Sequence, residues 1–312
     1  MKRGKAFELL VKTILLHLGF LKVSSDGLYI FDGTAGQMIQ GLGDAHNADV
    51  LLEPIVQTPF YAPSRLLIEC KDQKEPVGLG VLRGVLGLRE DINNFDIVDA
   101  KELIDRRNNR RQGLTYDYER IFYQVAVASM SRFTVPAQNF AATHRIPLIE
   151  FNKMPFWEIF IAAFGNDEEY DDDWGRVSKI ADAIAEKSAL AVTNSGQLLF
   201  LYMSEGRKVK FEDYYSLHWS TPNEPWTLRS GNTEYVFQLP DTILKAWLDN
   251  SITDFDIKSQ AIDCKERFMS NMIVYYTELN IPKIKMISIN REMLTSALNA
   301  LKGDKQEENK KQ

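Results

Sequence analysis

The stretch Arg65-Leu66-Leu67-Ile68-Glu69-Cys70-Lys71-Asp72 is short, apolar and ends in charge. Such a run reads as a buried strand. Side chains on a strand alternate between faces, so Glu69 and Lys71 share one face while Leu66, Ile68 and Cys70 share the other. The strand then presents an acid and an ammonium group side by side. That pair is common and says little by itself. Its neighbour upstream gives it meaning. Residues 49–56, Asp-Val-Leu-Leu-Glu-Pro-Ile-Val, are a second strand candidate whose length Pro54 limits. If the two strands form an antiparallel hairpin, Asp49 lies near the end of one and Glu69 near the end of the other. The two carboxylates can then converge. Two oxygen donors with open positions suit Mg²⁺, which keeps several waters and bridges to phosphate. Such a cation activates water and stabilises charge on a scissile phosphate. Lys71 would orient that water or neutralise the phosphorane.

Working outward, residues 4–18 read as a helix, with Phe7, Leu10, Val11, Ile14, Leu15 and Leu18 at helical spacing and Gly19 as a stop. Glu8 lies at the margin of that apolar face and could add a carboxylate. A strand is expected near 28–31 and a Gly-rich loop over 36–47. Residues 76–91 are a helix candidate with Pro76 in the first turn. Strands are expected at 122–129 and 146–151, and a short helix at 134–143. Alternating helices and strands of this kind predict an α/β unit, a mixed sheet flanked by helices.

The 312 residues are 45% hydrophobic and 26% charged, ordinary values that exclude collagen-like, disulfide-framework and wholly disordered chains. That length predicts about two domains. Six acids lie between Asp167 and Asp173, so the net charge of −6 belongs to this run and the remainder is neutral. The global charge therefore does not exclude a local basic surface. The acidic run marks the boundary: a first domain over 1–165, a linker over 166–175, a second, α+β domain over 176–302, and a disordered polar tail over 303–312. In the second domain, helices are expected at 176–190, 241–249, 258–279 and 291–301. Strands are expected at 197–202, 208–214, 234–239 and 284–289. Its role reads as recognition, dimerisation or sensing. The aromatics Tyr214, Tyr215, Trp219, Trp226 and Tyr235 are expected to fill its core, with base stacking as the alternative. No apolar run is long enough for a membrane span, and the basic N-terminus leads into an amphipathic stretch instead of a signal-peptide core. The expectation is a cytoplasmic protein with no membrane partner. Cys70 and Cys264 read as buried thiols.

The ordered segments Gly4-Lys5-Ala6-Phe7-Glu8, Gly43-Asp44-Ala45-His46-Asn47-Ala48-Asp49-Val50, Ile68-Glu69-Cys70-Lys71-Asp72 and Val77 to Gly84, followed by Val125 to Ala137 and Ile146 to Glu150, resemble the PD-(D/E)xK nuclease superfamily. Within it they resemble the Mrr-like restriction endonuclease domain, over about residues 1–155. The resemblance implies a restriction-endonuclease-like fold and Mg²⁺-dependent hydrolysis of DNA, with Mn²⁺ able to substitute. It assigns Glu8 as the helix acid, Asp49 and Glu69 as metal ligands, and Lys71 as the catalytic lysine. It also implies a role in defence against foreign or modified DNA, a homodimer for double-strand cutting, and a possible partner defence protein. The approach to the aspartate is Asn47-Ala48-Asp49 where the family usually has Gly-Gly-Ile/Ala-Asp. Glu69 stands where the family often has Gln. Residues 96–118 read as an insertion. Two alternatives are a structure-specific repair or junction nuclease and a non-catalytic DNA-binding scaffold of the same fold.

Arg83, together with Arg106, Arg107, Arg110 and Arg111 at helical spacing, are candidate phosphate contacts. His46 and Asn47 read as a loop pair or a substrate contact. His17, His144 and His218 are isolated and read as structural. Gly78-x-Gly80-x-x-x-Gly84 has the wrong last spacing for a dinucleotide fingerprint, and no Gly-x-x-x-x-Gly-Lys-Ser/Thr is present.

Overall fold

The computed structural model describes residues 3–34, 36–57, 63–95, 121–164, 174–218, 225–239 and 254–311. The first helix, α1 (Arg3–His17), buries the expected stripe of Phe7, Leu10, Val11, Ile14 and Leu15, with Leu18 just beyond. It packs on a five-stranded sheet in the order β1 (Leu21–Lys22), β5 (Val50–Glu53), β6 (Ser64–Lys71), β7 (Phe122–Ser129) and β8 (Leu148–Glu150). β5 is antiparallel to β1 and β6, whereas β6, β7 and β8 run parallel. The sheet is therefore mixed. Its other face carries α2 (Leu79–Asn94) and α3 (Val135–His144) over a core that includes Leu51, Leu67, Leu82, Val85, Val125 and Val127. Thr134 caps α3 by accepting from the Ala137 N–H at 3.4 Å, with Pro136 in the first turn as expected.

Several details differ from expectation. Residues 36–47 are not a loop: β2 (Ile30–Gly33), β3 (Gly36–Gln40) and β4 (Ala45–Asn47) form a small antiparallel sheet. The glycines sit at its turns. Pro76 precedes α2 by three residues, because Val77 first bridges to Phe133 as extended chain.

The second half is a closed barrel in the order β10 (Leu198–Glu205), β13 (Thr233–Phe237), β12 (Trp226–Ser230), β11 (Tyr214–His218), β15 (Ile281–Ile289), β14 (Asn271–Glu278) and β9 (Ser188–Thr193). β9 returns to β10, so no edge is left open. Helix α6 (Asp254–Met269) ends at Met269, and the expected helix over 258–279 gives way to β14, whose Met272, Val274 and Tyr276 alternate into the core. β12 went unexpected, the predicted strand at 208–214 begins only at Tyr214, and β9 occupies the end of the predicted helix 176–190. That helix is α5 (Trp174–Ala185). The last helix, α7 (Arg291–Lys311), continues through the polar residues 303–311, so the expected disordered tail is helical there. The predicted helix 241–249 and the acidic run 167–173 lie outside the described residues.

The two halves share a core. α4 (Trp157–Phe164) and α5 pack with α1, and Phe7, Phe151, Phe156 and Phe200 meet edge-on at centroid separations of 5.0–5.8 Å. β10 explains how. Leu199 and Leu201 point into the barrel, while Leu198, Phe200 and Tyr202 point out to the α1 side. Gly19, at φ +95°, lets the end of α1 meet Pro282, where a Cβ would approach the proline Cβ at 2.5 Å. Each half thus has a core of its own, and a third core is shared between them.

Candidate functional site

β5 and β6 pair with Val50 opposite Ile68 and Leu51 opposite Leu67. One step further, this register sets Asp49 opposite Glu69. The hairpin expected from sequence is thus the arrangement observed. Beyond Asp49 the chain turns away: the Ala48 N–H donates to Gln37 O of β3 at 2.9 Å. The Cys70 N–H would lose its partner there, and Asp49 Oδ2 accepts it at 2.9 Å. Asn47 Nδ2 donates to Asp49 Oδ1 at 3.3 Å, while Asn47 Oδ1 is buried without a hydrogen bond among the described residues. The carboxylate is therefore held from both sides. Holding it is itself a structural role, one that the bare sequence does not reveal.

Lys71 Nζ donates to Glu69 Oε1 in a close ion pair. Both side chains are half-buried, on the same face as Leu67. Burial opposes the charge on Lys71, but its hydrogen bond to Glu69 and the charges of Glu69 and Asp49 outweigh it and raise its pKa. Lys71 is therefore an ammonium ion at neutral pH, a fixed positive charge and not a base. Glu8, from α1, accepts from Lys5 Nζ at 2.7 Å. Burial raises its pKa; Lys5 pulls it back, and the charges of Asp49 and Glu69 push it further up. Glu8 and Lys71 thus both feel the charges of Asp49 and Glu69. Burial, then Asp49, Glu8 and Glu69, push the Cys70 thiol well up, so it remains protonated and offers no thiolate nucleophile or ligand.

Among the described residues no group of three or more His, Cys, Asp or Glu side chains is arranged to hold a metal ion. A cation beside Asp49 and Glu69 would take two hard oxygen donors from the chain and the rest from water, a donor set that fits Mg²⁺ and does not fit zinc.

Arg83 is exposed on α2, and Arg106, Arg107, Arg110 and Arg111 lie outside the described residues. His46 is held within the chain: its Nε2 pairs with Asp91 Oδ2 at 2.7 Å, while Asp91 Oδ1 accepts from the Gly43 N–H at 2.9 Å. The hydrogen bond to His46 and that from Gly43 hold the Asp91 carboxyl below the usual carboxylate range. This clamp ties the β3–β4 turn, and so the approach to Asp49, to the end of α2. A separation of 45 residues left no local signal for it. Trp226, Tyr215 and Tyr235 are buried in the barrel and fill its core, whereas Tyr214 is exposed and Trp219 lies outside the described residues. No helix among the described residues is long and apolar enough to cross a membrane.

No protein-family model matches the chain, and neither does any curated protein or solved structure.

Proposed function

We propose that this chain is a metal-dependent endodeoxyribonuclease of the PD-(D/E)xK kind, hydrolysing phosphodiester bonds at the Asp49–Glu69–Lys71 cluster. One observation carries the reading: the register of β5 on β6 sets two carboxylates opposite each other, with an ammonium group on the same strand face as one of them. Asp49 and Glu69 would hold Mg²⁺, with Mn²⁺ able to substitute. When bound, the cation supplies positive charge beside the scissile phosphate and lowers the pKa of water. The Cys70 amide and Asn47 fix the direction of the Asp49 carboxylate in advance. Lys71, charged at neutral pH, stabilises negative charge that grows on the phosphate in the transition state. Glu8 sits where a further acid can receive or return a proton through solvent.

The restriction-endonuclease-like identity of the mixed sheet, the DNA substrate, the defence role, a cytoplasmic setting and a partner protein all rest on the sequence resemblance. A homodimer follows from the need for two active sites to cut both strands. The test is plasmid nicking by the full chain with Mg²⁺ or Mn²⁺, EDTA as control, and Lys71→Ala alongside. Cleavage by the wild type and a loss of about 10²–10³-fold in Lys71→Ala are expected. A folded wild type that leaves plain, methylated and branched DNA intact refutes the assignment. Preference for the branched substrate identifies a junction or repair nuclease. The absence of a three-donor metal cluster among the described residues favours one other reading, a DNA-binding scaffold without catalysis. It predicts DNA binding that EDTA leaves unchanged.

A further inference from the structure

A second cavity lies at the seam between the halves, away from the acidic cluster. It measures about 540 Å³ and is lined by the start of β6, the Pro147 approach to β8, the β9–β10 turn and Tyr275 of β14. Its size falls in the range of small-molecule sites. Its lining is mixed in chemistry: Phe20, Leu190, Val192 and Tyr275 are apolar, and Arg65, Arg145 and Ser195 are among the polar lining residues. Arg145 also borders a neighbouring cavity of about 390 Å³ around the same β9–β10 turn.

Two observations single out Arg145. It ends α3 at φ +53°, a left-handed position that helices usually fill with Gly or Asn. A long side chain is kept there against the backbone's preference, as strain at functional positions often is. Moreover, Arg65, the other arginine of the cavity, is occupied: it donates to Glu53 Oε2 at 3.4 Å and to the Tyr123 hydroxyl at 3.2 Å. The Arg145 side chain, exposed at the cavity rim, has no such partner among the described residues. A guanidinium of this kind beside an apolar wall matches an anion attached to an apolar body.

We infer that this seam cavity binds a small organic anion, with its charged head on Arg145 and Ser195 and its apolar body against Phe20, Leu190, Val192 and Tyr275. The site stands beyond the reach of the acidic cluster, since Arg65 and Glu69 are about 13 Å apart along β6. It holds whatever reaction that cluster performs.

The probe is 8-anilinonaphthalene-1-sulfonate, an aromatic body with one sulfonate, titrated by fluorescence into the full chain. Its neutral parent, 1-anilinonaphthalene, serves as comparison. One saturable site per chain is expected for the sulfonate, with at least tenfold weaker binding of the neutral parent. Arg145→Gly should bind the sulfonate at least tenfold more weakly and the neutral parent as the wild type does. Because glycine accepts φ +53° freely, this variant should melt no lower than the wild type, so lost binding is not lost folding. Val192→Trp, which fills the apolar side, should weaken both probes. Equal affinity of the wild type for both probes, or sulfonate binding unchanged by Arg145→Gly, overturns the inference.

Discussion

The end of the open sheet and the closed barrel differ in what is added to burial. Around β6 burial raises Glu8 and Cys70 and the charges of Asp49 and Glu69 push both further, while for Lys71 the hydrogen bond to Glu69 and the charges of Glu69 and Asp49 overcome burial. In and around the barrel, burial alone raises Tyr202, Tyr215 and Tyr275 and lowers Lys265. The Cys264 thiol of α6 is pushed up to about 11, chiefly by burial. Desolvation is what packing does to any polar group it covers. Converging charges are harder to explain by packing, because bringing three acids together costs stability. The barrel aromatics have a packing role, and the proposed chemistry at the end of β6 is the side of the comparison that experiment must decide.

The contrast can be broken at three points beyond the two experiments above. The largest effect belongs to the barrel. Trp226 is buried and stacks on Phe237 at 6.0 Å, with Lys265 over its ring at 5.9 Å. Trp226→Ala should cost about 3–5 kcal/mol in denaturant unfolding. A loss below 1 kcal/mol would mean that the barrel aromatics are held for something other than packing.

A smaller effect is expected at the clamp. A Cβ on Gly41 would lie 2.1 Å from Asp91 Oδ2 and 2.6 Å from the Asp44 carbonyl oxygen. Gly41→Ala should cost about 1–3 kcal/mol by overpacking. It should also reduce any cleavage, because the His46–Asp91 pair fixes the strand leading to Asp49. A variant that loses stability yet cuts DNA at the wild-type rate would detach the clamp from the site.

The smallest effect tests the acids themselves. The folded-state pKa of Glu8 is raised, so the folded chain favours its neutral form. Whatever Glu8 contributes to stability is greatest below its unfolded pKa and is lost as pH rises through the folded value. Glu8→Gln removes that loss. It should therefore raise the melting temperature at pH 7, with the difference shrinking as pH falls toward 4. A melting temperature that falls at pH 7 would show that the ion pair with Lys5 outweighs the repulsion from Asp49 and Glu69.

Local signals in the sequence located much of the site. The run Arg65–Lys71 is β6, and the stripe from Phe7 to Leu18 is the buried face of α1. Asp49 and Glu69 fall opposite each other because a hairpin between adjacent strands is a short-range event. What stayed hidden depends on contacts distant in sequence. His46 finds Asp91 only after α2 folds over the sheet, and Cys70 needs Asp49 only because β4 bends away. The barrel was hardest to read. β12 is a short strand of mixed polarity, and its pattern is clear only once the closed ring is known. β14 was legible in principle, since Met272, Val274 and Tyr276 alternate with Ile273 and Tyr275. Its fusion to the preceding helix pattern masked it. The extra length of α7 runs straight through Gly303, which does not end the helix here, and the Lys, Gln and Glu residues beyond it suit a helix.

β10 is a party wall. Leu199 and Leu201 face one room, and Leu198, Phe200 and Tyr202 face the other. Pulling this strand out wets both interiors at once, so damage on one side is felt on the other. A single melting transition for the full chain in calorimetry is the expected sign of that shared wall.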